Sequence, residues 1–269
     1  MNVENVKGLK IVFFGGRLLG ARCLNELIRR NENVQLVVPC PDDDGSQKLW
    51  YESVRGIAKN NNLAVSESSL TTDDEGLVAM IKKISPDVIF SIFYTKVLKE
   101  DVLSVPREGC INIHFAPLPR YRGYYPGTFA IINGESEHGV TMHYMSNKLD
   151  LGDIILQKKF AVEEGDTGES LYFKCVEAGF KVFKQGLDLL KAKKMPRISQ
   201  KKEDSLYFKK QDLDKLNPFD LKKMDKNVYD LVRALVFPPF NPPSFYIGKE
   251  KMVIIKESEY KAIKDKKER

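Results

Sequence analysis

Short apolar segments that alternate with helix-like segments constrain the fold of this chain more than any other feature. Each apolar segment has the composition of a buried strand, and an amphipathic or capped stretch follows it. Strands that are joined through helices lie parallel in one sheet. The sequence therefore predicts an α/β fold with a doubly wound, mostly parallel, Rossmann-like sheet. The predicted strands of this part are LKIVFF, VQLVVP, PDVIFSIF and CINIHF.

Capping residues predict where three helices begin. Ser46 is expected to be the N-cap of a helix through QKLWYESVRGIAKNN. A second helix, TTDDEGLVAMIKKI, starts with threonine and has an acidic first turn. Asp166 and Glu169 are predicted to form a D-x-x-E capping box for a long helix that follows them.

The pattern changes after residue 134 and again near residue 200. GVTMHYM and DIILQKKFAV are strand-like, and the stretch beyond residue 200 has one clear helix, NVYDLVRALVF. FYIGKEKMVII is predicted to be a β-hairpin that turns at Gly248–Lys249. We therefore predict a larger domain, residues 1–199, and a small α+β appendage with a hairpin, residues 200–269.

Composition and charge narrow the classes of partner. The net charge is +6, from 43 basic and 37 acidic residues, but the surplus is scattered and forms no basic ribbon with interleaved aromatics. A solvated surface is therefore favoured over a nucleic-acid interface. No apolar run approaches the roughly 18 residues of a membrane span, and the opening MNVENVKGLK lacks the apolar core of a signal peptide. The four cysteines form no CxxC pair, so we expect free buried thiols, a cytoplasmic protein and no metal.

Two polar residues interrupt an apolar strand in GCINIHFAPLPRYRG. Asn112 and His114 are two apart, so their side chains share one face of the strand. They lie at the carboxyl end of the strand, where open α/β sheets bind ligands. On spacing alone, a pair of buried polar residues bonded to a neighbouring loop explains them equally well.

A carboxylate in the turn KLDLGD favours a catalytic interpretation. Asp150 could orient the imidazole, and the Asn112 amide could donate to an oxygen that becomes negative. No serine or cysteine stands in an evident nucleophile elbow, so the attacking group is expected from the substrate. The pattern indicates acyl transfer. His138 and His143 are ascribed to surface or core packing.

NIHFAPLPRYRG, followed 36 positions after His114 by the first aspartate of LDLGD, resembles the signature of the folate-dependent formyltransferases. The resemblance spans roughly residues 9 to 190 and implies the family's doubly wound fold and N10-formyltetrahydrofolate as formyl donor. It implies that Asn112 holds the oxyanion, that His114 polarises it or manages the amine's proton, and that Asp150 orients the ring or relays the proton. Ala116 departs from the family's usual serine, which removes a hydroxyl from the loop.

The resemblance also implies binding residues. The folate is expected to meet backbone groups and an apolar wall, with the second acid of the turn nearby: Lys96, Val97, Leu98, Met145 and Asp153. Ordinary core packing explains Val97, Leu98 and Met145 at least as well. The phosphate end of the amine substrate is expected at the turn FFGGRLLG, whose N–H groups suit an anion: Gly15, Gly16 and Arg17. A simple tight turn is the alternative there. The glycine spacing is not G-x-G-x-x-G, so a nicotinamide cofactor is not expected.

The loop after the motif offers guanidinium groups for a pyrophosphate and rings for stacking: Arg120, Tyr121, Arg122 and Tyr124. The segment RALVFPPFNPPSFYIGKEKMVI resembles the nucleotide-sugar N-formyltransferases, particularly those for 4-amino-4,6-dideoxy sugars. This implies a nucleotide-linked amino sugar as acceptor, first dTDP-4-amino-4,6-dideoxyglucose, then GDP-perosamine, then 3-amino sugars. It also implies a role in O-antigen or lipopolysaccharide biosynthesis, and a homodimer formed through the hairpin.

Two alternatives stay open. One is a shortened methionyl-tRNA formyltransferase, and the other is a non-catalytic binding protein with the same fold. The presence of all three polar groups argues against the second.

Overall fold

The structure is a computed structural model that describes residues 8–46, 51–67, 75–201, 204–220, 228–237 and 241–261. The chain divides into two compact units. The first comprises Met1–His114, Val140–Lys158 and Val176–Lys202, and the second comprises Phe115–Gly139, Lys159–Cys175 and Glu203–Arg269. The last boundary lies near residue 200. The predicted division into a larger domain, residues 1–199, and a small appendage, residues 200–269, stays a prediction.

The elements follow one another along the chain in this order: β1 (Ile11–Gly15), α1 (Arg17–Arg29), β2 (Val34–Pro39), α2 (Val54–Asn60), α3 (Glu75–Ile84), β3 (Val88–Ile92), α4 (Glu100–Leu103), β4 (Cys110–His114), β5 (Arg122–Gly123), α5 (Pro126–Ile132), β6 (Glu137–Tyr144), β7 (Ile154–Ala161), α6 (Gly168–Lys191), β8 (Tyr207–Phe208), α7 (Lys210–Asp214), α8 (Val228–Leu235), β9 (Ser244–Ile247) and β10 (Glu250–Val253).

The central sheet has six strands in the order β2-β1-β3-β4-β6-β7. β1 pairs parallel with β2 and β3, β3 pairs parallel with β4, and β6 pairs antiparallel with β4. β1 and β3 are buried along their whole length, as strands covered on both faces must be. The predicted mostly parallel α/β sheet is confirmed.

Helices cover both faces of this sheet. Ile89 of β3 packs in one apolar cluster with Leu77 and Ile81 of α3. The next residue, Phe90, meets Phe183 of α6 edge to face, with ring centroids 5.2 Å apart. Successive side chains of a strand point to opposite faces, so α3 and α6 lie on opposite sides of the sheet. This is the doubly wound arrangement.

A buried carboxylate on α1 belongs to the packing of the first unit. Glu26 is 5% exposed and accepts hydrogen bonds from Arg29 and Arg30, at 2.8 and 2.7 Å. The bonds from Arg29, followed by those from Arg30, outweigh burial and lower the pKa of Glu26 to about 2. Glu26 therefore stays ionised well into acid.

The second unit joins the loop after β4 to the C-terminal segment. β5 pairs parallel with β8, and Phe208 stacks on Phe129 with ring centroids 4.0 Å apart. β9 and β10 form the predicted hairpin, with Gly248 in the left-handed region at φ 62°. The helix α8 covers the predicted segment from Val228 onward.

Two predicted helix starts are wrong, and the third lies outside the described residues. α2 begins at Val54 and its cap is Ser53, whose hydroxyl accepts from the Gly56 N–H, whereas Ser46 donates to Asp44 in a local turn. At α6 the reciprocal pair is Thr167 and Ser170, one position beyond the predicted box. The expected threonine start of α3 falls among residues 68–74. Among the described residues, no helix combines the length and the apolar character that crossing a membrane requires.

Candidate active site

Asn112 and His114 lie in the last three residues of β4, at its carboxyl end. Asn112 is opposite Ser91 of β3 on one side and opposite His143 of β6 on the other. His114 is buried. Cys110, on the same face, packs in the α3 cluster, so the two polar side chains lie on the α3 side of the sheet.

His143 contacts Asn112 directly. The Nδ2 of Asn112 and the Nε2 of His143 are 3.0 Å apart, and the ring is 2% exposed. The other ring nitrogen, Nδ1, is 2.8 Å from the carbonyl oxygen of Tyr144. A carbonyl only accepts, so Nδ1 carries the proton and Nε2 accepts from the Asn112 amide. This bond turns the NH₂ of Asn112 toward His143 and leaves its second N–H available.

Asp150 lies between two imidazoles. Its Oδ2 is 3.7 Å from Nδ1 of His114, and its Oδ1 is 3.7 Å from Nε2 of His143. The carboxylate is buried, at 7% exposure, and Asp150 adopts the left-handed conformation at φ 53°. Both separations exceed a direct hydrogen bond. Because Nε2 of His143 already accepts from Asn112, only the separation from His114 fits a bridging water or a contraction on binding. The structure thus brings the predicted Asn112, His114 and Asp150 together in one unit.

The thiols near this part of the sheet are poorly suited to nucleophilic attack. Burial raises the pKa of Cys40 to about 11 and the pKa of Cys110 to about 12. Both thiols therefore stay protonated at neutral pH. Within the described part of the chain, histidine, cysteine and acidic side chains form no group of three that could hold a metal ion. The geometry favours proton transfer and oxyanion stabilisation.

The predicted folate residues separate into exposed and buried members. Lys96 is exposed and Val97 is 65% exposed, whereas Leu98 is buried. Leu98, Met145 and Tyr94 belong to one apolar cluster. The buried hydroxyl of Tyr94 has no hydrogen-bond partner among the residues that the structure describes, and burial raises its pKa.

Asp153, the second acid of the turn, contacts the segment that follows α6. Its Oδ1 accepts from Ser199 at 3.2 Å, and its Oδ2 is 3.8 Å from Nη1 of Arg197. Its backbone carbonyl accepts from the Tyr144 N–H. These contacts shape the turn, and a direct role of Asp153 toward folate stays a prediction.

The glycine turn before α1 is tightly packed. A Cβ on Gly16 would lie 2.3 Å from Sγ of Cys40, and the Gly16 N–H donates to the carbonyl of Ile92. Arg17 donates to Asp42 at 2.6 Å and to the hydroxyl of Tyr51 at 2.8 Å. Steric demand explains glycine here, and the predicted phosphate contact of Gly15, Gly16 and Arg17 stays a prediction.

In the second unit, the Arg-Tyr-Arg loop is bonded within the chain. Tyr121 is 1% exposed and donates to Glu135 at 2.6 Å, and Arg120 pairs with the same carboxylate. Arg122 is buried and donates to the hydroxyl of Ser205 at 2.7 Å. Tyr124 is exposed. These contacts hold the loop on the C-terminal segment, and its role in binding substrate stays a prediction.

A family model described as formyl transferase matches residues 9–187. The chain belongs to this family. Membership confirms the predicted family, fold class and enzyme class, a formyltransferase. The methionyl-tRNA formyltransferase of Clostridioides difficile is 34% identical over 241 residues, which cover 88% of this chain and 76% of that enzyme.

The chain covers different fractions of two further similar proteins. The bifunctional polymyxin resistance protein ArnA of Wigglesworthia glossinidia brevipalpis is 33% identical over 92% of this chain, but the chain spans only 38% of that protein. The N-formyltransferase of Helicobacter canadensis, solved with folinic acid and dTDP-3-aminofucose, has a TM-score of 0.75 and 26% identity. That match covers 91% of this chain and 86% of that one.

Two residues that contact the candidate site are not predicted from the sequence. From the sequence alone, His143 is ascribed to packing, although His143 precedes Met145 by two positions in the strand-like segment GVTMHYM and so would share its face. That spacing was a usable signal. Gln200 carried no local signal. Its Nε2 donates to the carbonyl of Asp150 at 2.8 Å and to the carbonyl of Gly152 at 2.7 Å.

Proposed function

We propose that this formyltransferase moves a formyl group from N10-formyltetrahydrofolate to the amino group of a nucleotide-linked amino-dideoxy sugar. The preferred acceptor is dTDP-4-amino-4,6-dideoxyglucose, followed by GDP-perosamine, and the product would serve surface polysaccharide such as O-antigen. The observation that carries the proposal is the convergence of Asn112, His114 and Asp150 at the end of β4, with His143 bonded to the amide.

The amide of Asn112 stabilises the charge that develops during transfer. Attack of the acceptor amine on the formyl carbon forms the new C–N bond and places negative charge on the formyl oxygen. Asn112 uses one N–H for the bond to His143 and directs the other at that oxygen. A donor fixed before the reaction stabilises the oxyanion without reorganisation, an effect of roughly 10²–10³ in kcat for one donor.

His114 and Asp150 manage the proton. The attacking amine must lose one proton, and the nitrogen released when the old C–N bond breaks must gain one. In the proposed mechanism His114 accepts and returns this proton, and Asp150, 3.7 Å away, stabilises the charged ring or relays the proton through water.

Folate binding is proposed at the cluster of Tyr94, Leu98 and Met145. The exposed Val97 and the partly buried Met145 offer apolar surface beside this cluster. N10-formyltetrahydrofolate, when bound, supplies the formyl carbon. The Helicobacter canadensis structure was solved with folinic acid, which supports a folate donor for this chain.

The choice of a sugar acceptor is supported by the structural match. The Helicobacter canadensis enzyme, solved with a dTDP-linked amino sugar, matches 91% of this chain, which includes most of the C-terminal segment. The 34% identity to a methionyl-tRNA formyltransferase favours the second candidate, formylation of an aminoacylated tRNA. The assay must therefore offer both kinds of acceptor.

The test is a panel of acceptors incubated with N10-formyltetrahydrofolate and analysed by mass spectrometry. The panel holds 4-amino and 3-amino sugars linked to dTDP and GDP, together with methionyl-tRNA. We expect one formyl group on a nucleotide-linked amino sugar. Formylation of methionyl-tRNA alone would replace the proposal by the second candidate, and no product with any acceptor would contradict both.

Two variants test the assigned roles. We expect His114→Asn and Asp150→Asn to abolish turnover while folding and binding of the nucleotide sugar are nearly retained, because these residues act on protons. Asp188→Asn makes the same carboxylate-to-amide change on the exposed side of α6 and should keep full activity. Near-normal turnover in either active-site variant would show that the roles are wrong.

We also propose that the protein is a cytoplasmic homodimer that uses the β9–β10 hairpin. The hairpin exposes apolar side chains, Tyr246, Ile247 and Val253, each more than half exposed. A two-stranded hairpin is marginal alone and gains stability from a surface to pack on. Light scattering should give twice the chain mass, and Ile247→Glu should give the mass of one chain.

A further inference from the structure

The segment that follows α6 is hydrogen-bonded to the turn that carries Asp150 and to the start of β7. Ile198 and Ile154 exchange two backbone hydrogen bonds, of 2.8 and 3.0 Å. Ser199 donates to Asp153, and Gln200 reaches the turn itself. Residues 197–200 form a strap along the turn. The strap and the turn both lie in the first unit.

Gln200 uses its complete donor capacity on this turn. Its two amide hydrogens go to the carbonyls of Asp150 and Gly152, at 2.8 and 2.7 Å. Both acceptors are carbonyl oxygens, so only the NH₂ end of the amide can face them, and the orientation of the side chain is determined. An isosteric carboxylate could not make both bonds.

The turn needs such support because its backbone is constrained. Asp150 is in the left-handed region, φ 53°, which non-glycine residues adopt at a cost. On its other side the turn lies against β6, where a Cβ on Gly152 would be 1.8 Å from the carbonyl oxygen of Tyr144. The turn is therefore held between the end of β6 and the strap.

We propose that Gln200 is a positioning residue for formyl transfer, which keeps the Asp150 carboxylate between His114 and His143. This inference rests on the proposed function, because it assigns a catalytic purpose to the position of Asp150. The carboxylate is already 3.7 Å from Nδ1 of His114, beyond a direct hydrogen bond, so a further displacement weakens its interaction with that ring. Gln200 does not touch the reacting atoms.

The test compares Gln200→Leu and Gln200→Glu with Gln35→Leu. Gln35 is an exposed glutamine of β2 that donates to Asn33, so Gln35→Leu removes the same amide away from the turn. We expect both Gln200 variants to lower kcat roughly ten- to hundred-fold, as misplacement of a catalytic group by about 1 Å does, with KM for both substrates nearly unchanged. Gln35→Leu should keep the wild-type kcat and KM.

A second measurement does not depend on activity. The ¹⁵N chemical shifts of the ring nitrogens of His114 and His143 report the position of the carboxylate in the folded protein. Both Gln200 variants should move these shifts, and Gln35→Leu should not. If Gln200→Leu does not fold, the isosteric Gln200→Glu supplies both measurements.

The outcomes separate this inference from the proposed function. Unchanged ring shifts and unchanged kcat in folded Gln200 variants would overturn the positioning role, even with an active wild-type enzyme. A rise in KM with constant kcat would also overturn it, because Gln200 would then serve binding. Moved ring shifts in a protein that formylates no acceptor would support the placement of Asp150 and contradict the proposed function.

Discussion

Replacing His143 by leucine tests whether this residue orients the Asn112 amide. His143→Leu removes the acceptor that lies 3.0 Å from Asn112 Nδ2 and the donor to the Tyr144 carbonyl. A buried group that loses its partner costs about 1–3 kcal/mol of stability. The half-buried Asn112 amide can recruit water, so we expect a loss toward the lower end, about 1–2 kcal/mol.

The fall in kcat caused by His143→Leu has a lower and an upper limit. If the freed amide populates its two flipped orientations equally, half of the molecules present the donor and kcat falls about twofold. If the donor is lost altogether, kcat falls roughly 10²–10³-fold, as when one oxyanion donor is removed. Asn112→Ala removes the donor and therefore measures this upper limit on the fall in kcat directly. We expect His143→Leu between the two limits and His143→Gln, whose carbonyl can accept the same bond, near wild type.

Steady-state kinetics with the acceptor identified by the panel, together with urea unfolding, provide the measurements. Two results would refute the reasoning. One is a folded His143→Leu enzyme with wild-type kcat, which would mean that Asn112 orients itself. The other is a fall larger than that of Asn112→Ala, which would mean that His143 acts by another route. In the Asn112→Ala background, His143→Leu should cause no further loss of kcat.

Two further predictions concern stability. Gly152→Ala should cost about 2 kcal/mol or more and lower kcat, because the added Cβ would lie 1.8 Å from the Tyr144 carbonyl oxygen; thermal melting and kinetics measure both effects. Bonds from Arg29 and Arg30 lower the pKa of Glu26 to about 2 from an ordinary 4.5. The Glu26 carboxylate therefore stabilises the fold fully above pH 4.5, and this contribution is lost as the pH falls toward 2. The difference in unfolding free energy between wild type and Glu26→Gln, from urea titrations at pH 6 and pH 3, should shrink.

A control variant or a second measurement can contradict each of these two stability predictions. Gly134 has open space around its α-carbon but a φ of 67°, so Gly134→Ala should show only the smaller cost of backbone strain. Equal losses at Gly134 and Gly152 would show that the contact with Tyr144 is not the cause. For Glu26, a stability difference from Glu26→Gln that stays constant between pH 6 and pH 3 would show that its pKa is not lowered by the arginines.

Features that depend on neighbours along the chain were predictable. The strand Val34–Pro39 and the hairpin turn at Gly248–Lys249 follow from apolar runs and turn residues alone. Helix caps were predicted less well, because the choice between two serines depends on distant partners. Asp43 accepts from the hydroxyl of Ser53 and from the Arg55 N–H, and this stabilises the start of α2 at Ser53.

The loop after β4 shows a different limit. Guanidinium groups and tyrosine rings in sequence are typical of a binding site for pyrophosphate or a base. In the structure, Arg122 is buried against Ser205, 83 positions away, and Tyr121 stacks on Phe208. The sequence does not show that β5 and β8 pair, so the burial of these side chains could not be predicted.

The sequence by itself determined the α/β class and the family, and it singled out Asn112, His114 and Asp150 as candidates, because strand periodicity and motif spacing are local properties. Only the tertiary structure decided which side chains meet them. His143 reaches Asn112 across 31 positions through the register of β4 and β6, and Gln200 reaches Asp150 across 50 positions through the strap. Such contacts depend on where separate segments come together in space, and no spacing within one segment records that.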